Sequence, residues 1–198
     1  MFGISYLDIS GSMGLMACGA LTINSILGMF LGTLFKNTTY WKQLPVFIKK
    51  NPIINLHNFT AYTSITFVCL HLIFLLLHQE SKFTLLHLIN PLNAPKQPTI
   101  VLLGVLSFYS IIIILITSQK LIRKQLSFRV WKNIHLIAYS TSFLFLIHGV
   151  LMDPLLKDRP TDWLDAEKFF TEACALIFIA AFFIRVNYHL KYKKRNIN

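Results

Sequence analysis

The chain has 198 residues, 55% of them hydrophobic and 14% charged, with a mean hydropathy of +0.57, a balance that excludes an ordinary water-soluble domain and points to a lipid bilayer. A formal net charge of +11 would suit nucleic acid. The Lys and Arg, however, are spread by loop rather than gathered into an aromatic-interleaved patch, so nucleic acid is not an expected partner.

The first apolar segment lies between Asp8 and Lys36, with no Asp, Glu, Lys or Arg inside it. It carries Gly14, Gly19, Gly28 and Gly32. The Gly28-x-x-x-Gly32 pair leaves a smooth patch for a neighbouring helix, the commoner use, or for the face of a porphyrin. No cation precedes Lys36, so the basic n-region of a cleavable signal peptide is missing and the segment is expected to be retained. Tyr40 to Lys50 then mixes aromatics, aliphatics and cations as an interfacial stretch does. Further charge-free gaps run from Lys50 to Glu80, from Lys96 to Lys120 and from Lys132 to Asp153. Each can cross a hydrocarbon core of roughly 30 Å, which takes about 20 helical residues. A fifth stretch, Phe169 to Tyr188, has Glu172 and Arg185 near its two ends, where both can snorkel to the interface. The expected fold is all-α: an integral membrane helical bundle of about five transmembrane helices.

Charge sets the expected topology. Lys36, Lys42, Lys49 and Lys50 follow the first segment, and Lys120, Arg123, Lys124, Arg129 and Lys132 follow the third. Arg185, Lys191, Lys193, Lys194 and Arg195 end the fifth, while all eight acids fall on the opposite side. The positive-inside rule then puts the N-terminus outside and the C-terminus inside. Cys18, Cys69 and Cys174 are lone thiols in apolar segments, outside any CxxCH or CxxC, and read as small buried hydrophobes. No GxGxxG follows a strand and no β/α alternation appears, so residues 1–198 read as a single membrane domain without a nucleotide or flavin module.

The chemistry rests on four histidines inside spanning segments: His57 and His71 on the second, His135 and His148 on the fourth. These two segments run the same way across the membrane. The spacings of 14 and 13 residues correspond to about 21 Å and about 20 Å at the helical rise. Each segment thus offers one histidine at a lower level and one at an upper level. An imidazole in hydrocarbon is costly unless something takes its lone pair, and heme iron does so with a neutral ring. Two facing imidazoles fill both axial positions, which suits outer-sphere electron transfer. Fourteen residues return to within about 40° of the starting face, whereas thirteen end about 140° away. Ser140, Thr141 and Ser142 lie between His135 and His148, so an irregularity is expected there, or else hemes approached from different sides. Arg129, Trp131 and Lys132, just below His135, are candidates for the inner heme's propionates. His78 would contact an outer propionate or acceptor, or be a plain interfacial histidine; His87 and His189 have no assigned role.

The run His57-Asn58-Phe59-Thr60-Ala61 ending at His71, and Trp131-x-x-Ile134-His135-x-x-x-Tyr139 ending at His148, resemble the two heme helices of the ferric reductase-like transmembrane domain. That domain is shared by NADPH oxidases, metal reductases and the heme subunit of the periplasmic methionine sulfoxide reductase system. The resemblance extends roughly over all five segments. It implies two bis-histidine hemes b, with His57 and His135 at the inner one and His71 and His148 at the outer one. The chain departs from the oxidases in lacking their flavin and nicotinamide domain.

The expected function is a di-heme b-type membrane cytochrome that moves electrons from an inner donor to an outer acceptor. A quinol, a bound flavin such as FMN, or a separate flavin reductase would be the donor. A metal ion, dioxygen or a redox protein would be the acceptor. The expected location is multi-pass in a plasma membrane, of the bacterial inner-membrane kind. Two other readings are a cytochrome b anchor inside a larger redox complex and a transporter whose histidines bind a metal ion directly. The transporter would call for one bundle-centred site rather than two levels.

Overall fold

A computed structural model of the chain describes residues 5–31, 42, 43, 46, 52–152 and 166–195. Five long helices account for most of them: α1 (Tyr6–Leu31), α2 (Ile53–Leu77), α3 (Pro98–Ser118), α4 (Phe128–Leu151) and α5 (Ala166–Arg195). All five are long and apolar enough to cross a membrane, and no strand occurs among the described residues. Helices are the natural outcome in lipid, because each one satisfies its own backbone polar groups. The interfacial stretch from Tyr40 to Lys50 falls mostly outside the described residues.

Local chemistry marks the ends. Ahead of α1, Ser5 and Asp8 cap each other: Asp8 N–H donates to Ser5 Oγ at 3.1 Å and Ser5 N–H to Asp8 Oδ2 at 2.9 Å, a capping box. Pro98 opens α3 where its missing N–H costs nothing. Ser127 caps α4 by accepting from Val130 N–H at 3.3 Å.

Helix α1 is the hub, packing on α2, α4 and α5, while α3 pairs with α4. Helix α2 runs antiparallel to α1, with Ser10 beside His71 and Asn24 beside His57, and α3 and α4 form a second antiparallel pair. The main core joins Cys18, Leu21 and Met29 of α1 to Ile111, Phe145, Leu146, Cys174 and Phe178. Phe143 meets Phe178 and Phe182 edge to face, with ring centres 5.1 and 5.4 Å apart. Between α1 and α4 the hydroxyls of Ser25 and Ser142 meet at 2.8 Å. The segment joining α2 to α3 folds back over that end of the bundle. There Phe83 and Ala94 pack against Val101 and Val105, and Tyr109 of α3 donates to the carbonyl of Leu88 at 3.1 Å.

The irregularity expected in α4 is absent. Thr141 and Ser142 do bond back to the carbonyls of Ile137 and Ala138, at 3.0 and 2.8 Å. The helix nonetheless stays α from Phe128 to Leu151, because a hydroxyl can share a carbonyl with the helical N–H without displacing it. The 13-residue interval therefore leaves His135 and His148 on different sides of one continuous helix.

Candidate functional site

Two of the histidines sit in matching cradles built by α1. The Nδ1 of His57 lies 3.0 Å from the carbonyl oxygen of Asn24, and that of His71 lies 2.8 Å from the carbonyl oxygen of Ser10. One turn on from each carbonyl is a glycine. A Cβ at Gly28 would stand 3.2 Å from His57 Cε1, and one at Gly14 would stand 3.2 Å from His71 Nδ1. Ser10 and Asn24 are 14 residues apart, as are Gly14 and Gly28, and as are His57 and His71 on the antiparallel helix.

The same device recurs on α3. His148 Nδ1 lies 2.8 Å from the carbonyl oxygen of Ile100, and a Cβ at Gly104 would come within 2.8 Å of His148 Cε1. The physical reason is the tilt of the Cα–Cβ bond toward the helix N-terminus, which lays a side chain over the carbonyl four residues earlier. Glycine at that position uncovers the oxygen and makes room for the ring.

Because a carbonyl only accepts, the Nδ1 facing it carries the proton in each of these three rings, and Nε2 keeps its lone pair. A metal-ligating histidine is held in the same way, its other ring N–H donating to a carbonyl or carboxylate. The unspent Nε2 of each of these three rings fits a heme, which they would hold through neutral imidazole.

His57 and His135 have ring centres 6.1 Å apart with planes at 68°. His71 and His148 line one cavity of about 200 Å³ among all five long helices, together with Gly14, Gly104 and Lys168. Among the described residues no three His, Cys, Asp or Glu side chains converge as one metal-binding cluster. Lys168, on α5, is buried. Its Nζ donates to the carbonyls of Val150 and Met152, just beyond His148.

Of the three residues expected below His135, only Trp131 is brought to it, ring on ring at 5.0 Å and 24°. Arg129 and Lys132 are exposed. The cation that reaches this site is Arg123, whose guanidinium carbon lies 4.5 Å from the centre of the Trp131 ring. Away from the pairs, His78 closes the end of α2 with its backbone N–H. His87 accepts from Thr84 N–H at 2.9 Å within its own loop, and His189 is exposed.

A helical membrane bundle with carbonyl-anchored histidines between its helices is the class of protein that fold and site define. A family model described as "Ferric reductase like transmembrane component" matches residues 13–147, and the chain belongs to that family. The match runs from α1 into α4, includes His57, His71 and His135, and stops one residue short of His148; α5 lies beyond it. No curated protein and no solved structure matches the chain. Family membership and the five apolar helices together mark a multi-pass membrane protein and point to transmembrane electron transfer.

Proposed function

We propose that this chain is a b-type membrane cytochrome with two hemes, one held by His57 and His135 and the other by His71 and His148, and that it conducts electrons across the bilayer. The observation that supports the reading is that His57, His71 and His148 each spend Nδ1 on a main-chain oxygen, so that Nε2 is left for a metal, while His135 stands beside His57. His57 and His135, with ring centres 6.1 Å apart, would hold one of the two hemes between α2 and α4. Bound heme would supply reversible one-electron chemistry at iron.

The chain's own part is to hold, orient and insulate. The Ser10, Asn24 and Ile100 carbonyls fix ring tautomer and direction, the glycines admit the rings, and the surrounding aliphatic and aromatic side chains exclude water. The lysines and arginines grouped around the α3–α4 connection and the end of α5 favour that side as the cytoplasmic one. A donor there would be a quinol, a flavin or a partner reductase, and the outer acceptor a metal ion, dioxygen or a redox protein.

The test is an absorption spectrum of the purified chain with a heme count. Two hemes with a reduced low-spin b-type spectrum are expected. A heme-free protein, or a single heme for which His57 and His135 are dispensable, overturns the reading.

A further inference from the structure

Three of the four rings present Nδ1 to a main-chain oxygen, and His135 does not: its Nδ1 is buried with no hydrogen-bond partner among the described residues. A ligating imidazole is ordinarily oriented through the N–H opposite the metal, so the fourth ring must be oriented by something else. What touches it is Trp131, one turn earlier, stacked at 5.0 Å. The indole Nε1 is likewise buried without a partner, so Trp131 is held by its faces rather than by its polar edge. Phe128 lies 6.0 Å away, centre to centre, and Arg123 lies over the ring at 4.5 Å. Arg123 arrives from the short helix Lys120–Gln125. It is steadied by an Nη1 bond to the carbonyl of Leu126 at 3.3 Å and by the Phe128 ring at 5.8 Å. Guanidinium and imidazole thus both lie against the one indole ring.

We propose that Trp131, clamped by Arg123, is the positioning residue for His135, doing by stacking what a bare carbonyl does for the other three rings. The inference rests on the reading that His57 and His135 hold a heme. It has an electronic corollary. His135 lacks the N–H···O bond that raises the basicity of a ligating imidazole, and the positive charge of Arg123 lies against the indole that stacks on it. Both features favour the reduced state of that site and raise its potential.

The heme-loaded protein is the material for the test, read by redox titration and by electron paramagnetic resonance of the ferric form. Trp131→Ala should shift the midpoint potential and the low-spin g-values of one heme, the one that His57→Ala removes, and leave the other unchanged. Trp131→Phe, which keeps a stacking face, should restore both readouts. Arg123→Gln should lower the potential of that same heme with the heme count unchanged. If Trp131→Ala loses the heme altogether, its recovery in Trp131→Phe supports the role and continued loss overturns it. Unaltered signals from both hemes in Trp131→Ala and Arg123→Gln sink the positioning role while leaving the two-heme reading intact. An unsubstituted preparation with no heme, or with one that survives His57→Ala, sinks the reading beneath it instead.

Discussion

Gly104 and His148 touch so closely that even a methyl group on the glycine would lie 2.8 Å from the imidazole Cε1 and 2.9 Å from Nδ1. Neither partner can give way cheaply, since the ring is also tied to the carbonyl of Ile100. Gly104→Ala should therefore evict the ring and cost the heme held by His71 and His148, halving the heme content. Gly11→Ala is the control, because a Cβ there meets nothing within 4 Å. Full heme occupancy in Gly104→Ala, measured by pyridine hemochrome, would contradict the cradle.

Replacing one ligand should act on one level only. His71→Ala or His148→Ala is expected to block delivery to an outer acceptor while the other heme stays reducible from the donor side. Cysteines introduced at Lys124 and Asp158 give the orientation independently: the first should label only from the cytoplasmic face. Labelling of Lys124→Cys from outside would invert the proposed direction of flow.

Asn24 works at two points. Its carbonyl serves His57, and its side-chain Nδ2 donates to the carbonyl of His57 at 2.6 Å and to Thr60 Oγ1 at 2.9 Å. Asn24→Ala deletes the second set and keeps the first. The expected cost is roughly 1–2 kcal/mol of resistance to thermal unfolding in detergent for the two interhelical bonds, with both hemes retained. Loss of the His57 heme in this variant would show that the side chain, not the main chain, does the anchoring.

The spans are legible in the sequence because charge-free runs of that length have few alternatives to a bilayer. The four histidines are legible too, since a ring in hydrocarbon demands a partner. The cradles are harder to read. Gly14 and Gly28 repeat the interval of His57 and His71, but that match means something only when α1 and α2 are known to be antiparallel and in register. Gly28 had a visible neighbour in Gly32, which drew attention to helix packing rather than to an imidazole. Arg129 and Lys132, candidates by their place just below His135, lie exposed on α4. Arg123, eight residues before Trp131, reaches it because the chain bends between two helices. Cys18 and Cys174 read as isolated thiols and turn out to share one core, a meeting fixed by how α5 docks on α1.

The donor side is open to a kinetic test. No nucleotide-binding motif occurs in these residues, so the purified chain should not be reduced by NAD(P)H alone. A quinol or a flavin reductase should restore reduction. If the donor is a soluble acidic protein docking near Lys120, Arg123 and Lys124, the rate should fall with added salt as the attraction is screened. Direct reduction by NADPH in a preparation of this polypeptide alone, insensitive to salt, would mean that it carries a donor site of its own.

The acceptors of the three anchored rings are carbonyl oxygens, which are the same atoms in every amino acid. No substitution at Ser10, Asn24 or Ile100 can delete them, short of one that breaks the helix. What mutation can do is cover them, by adding a side chain at Gly14, Gly28 or Gly104. The instruction for holding a histidine is thus written as a vacancy one turn away from the atom that does the holding. A search through related chains for a recurring polar partner to these histidines would look at the wrong positions. The residue type to look for there is the one with no side chain, and the positions bearing the oxygens should be free to drift.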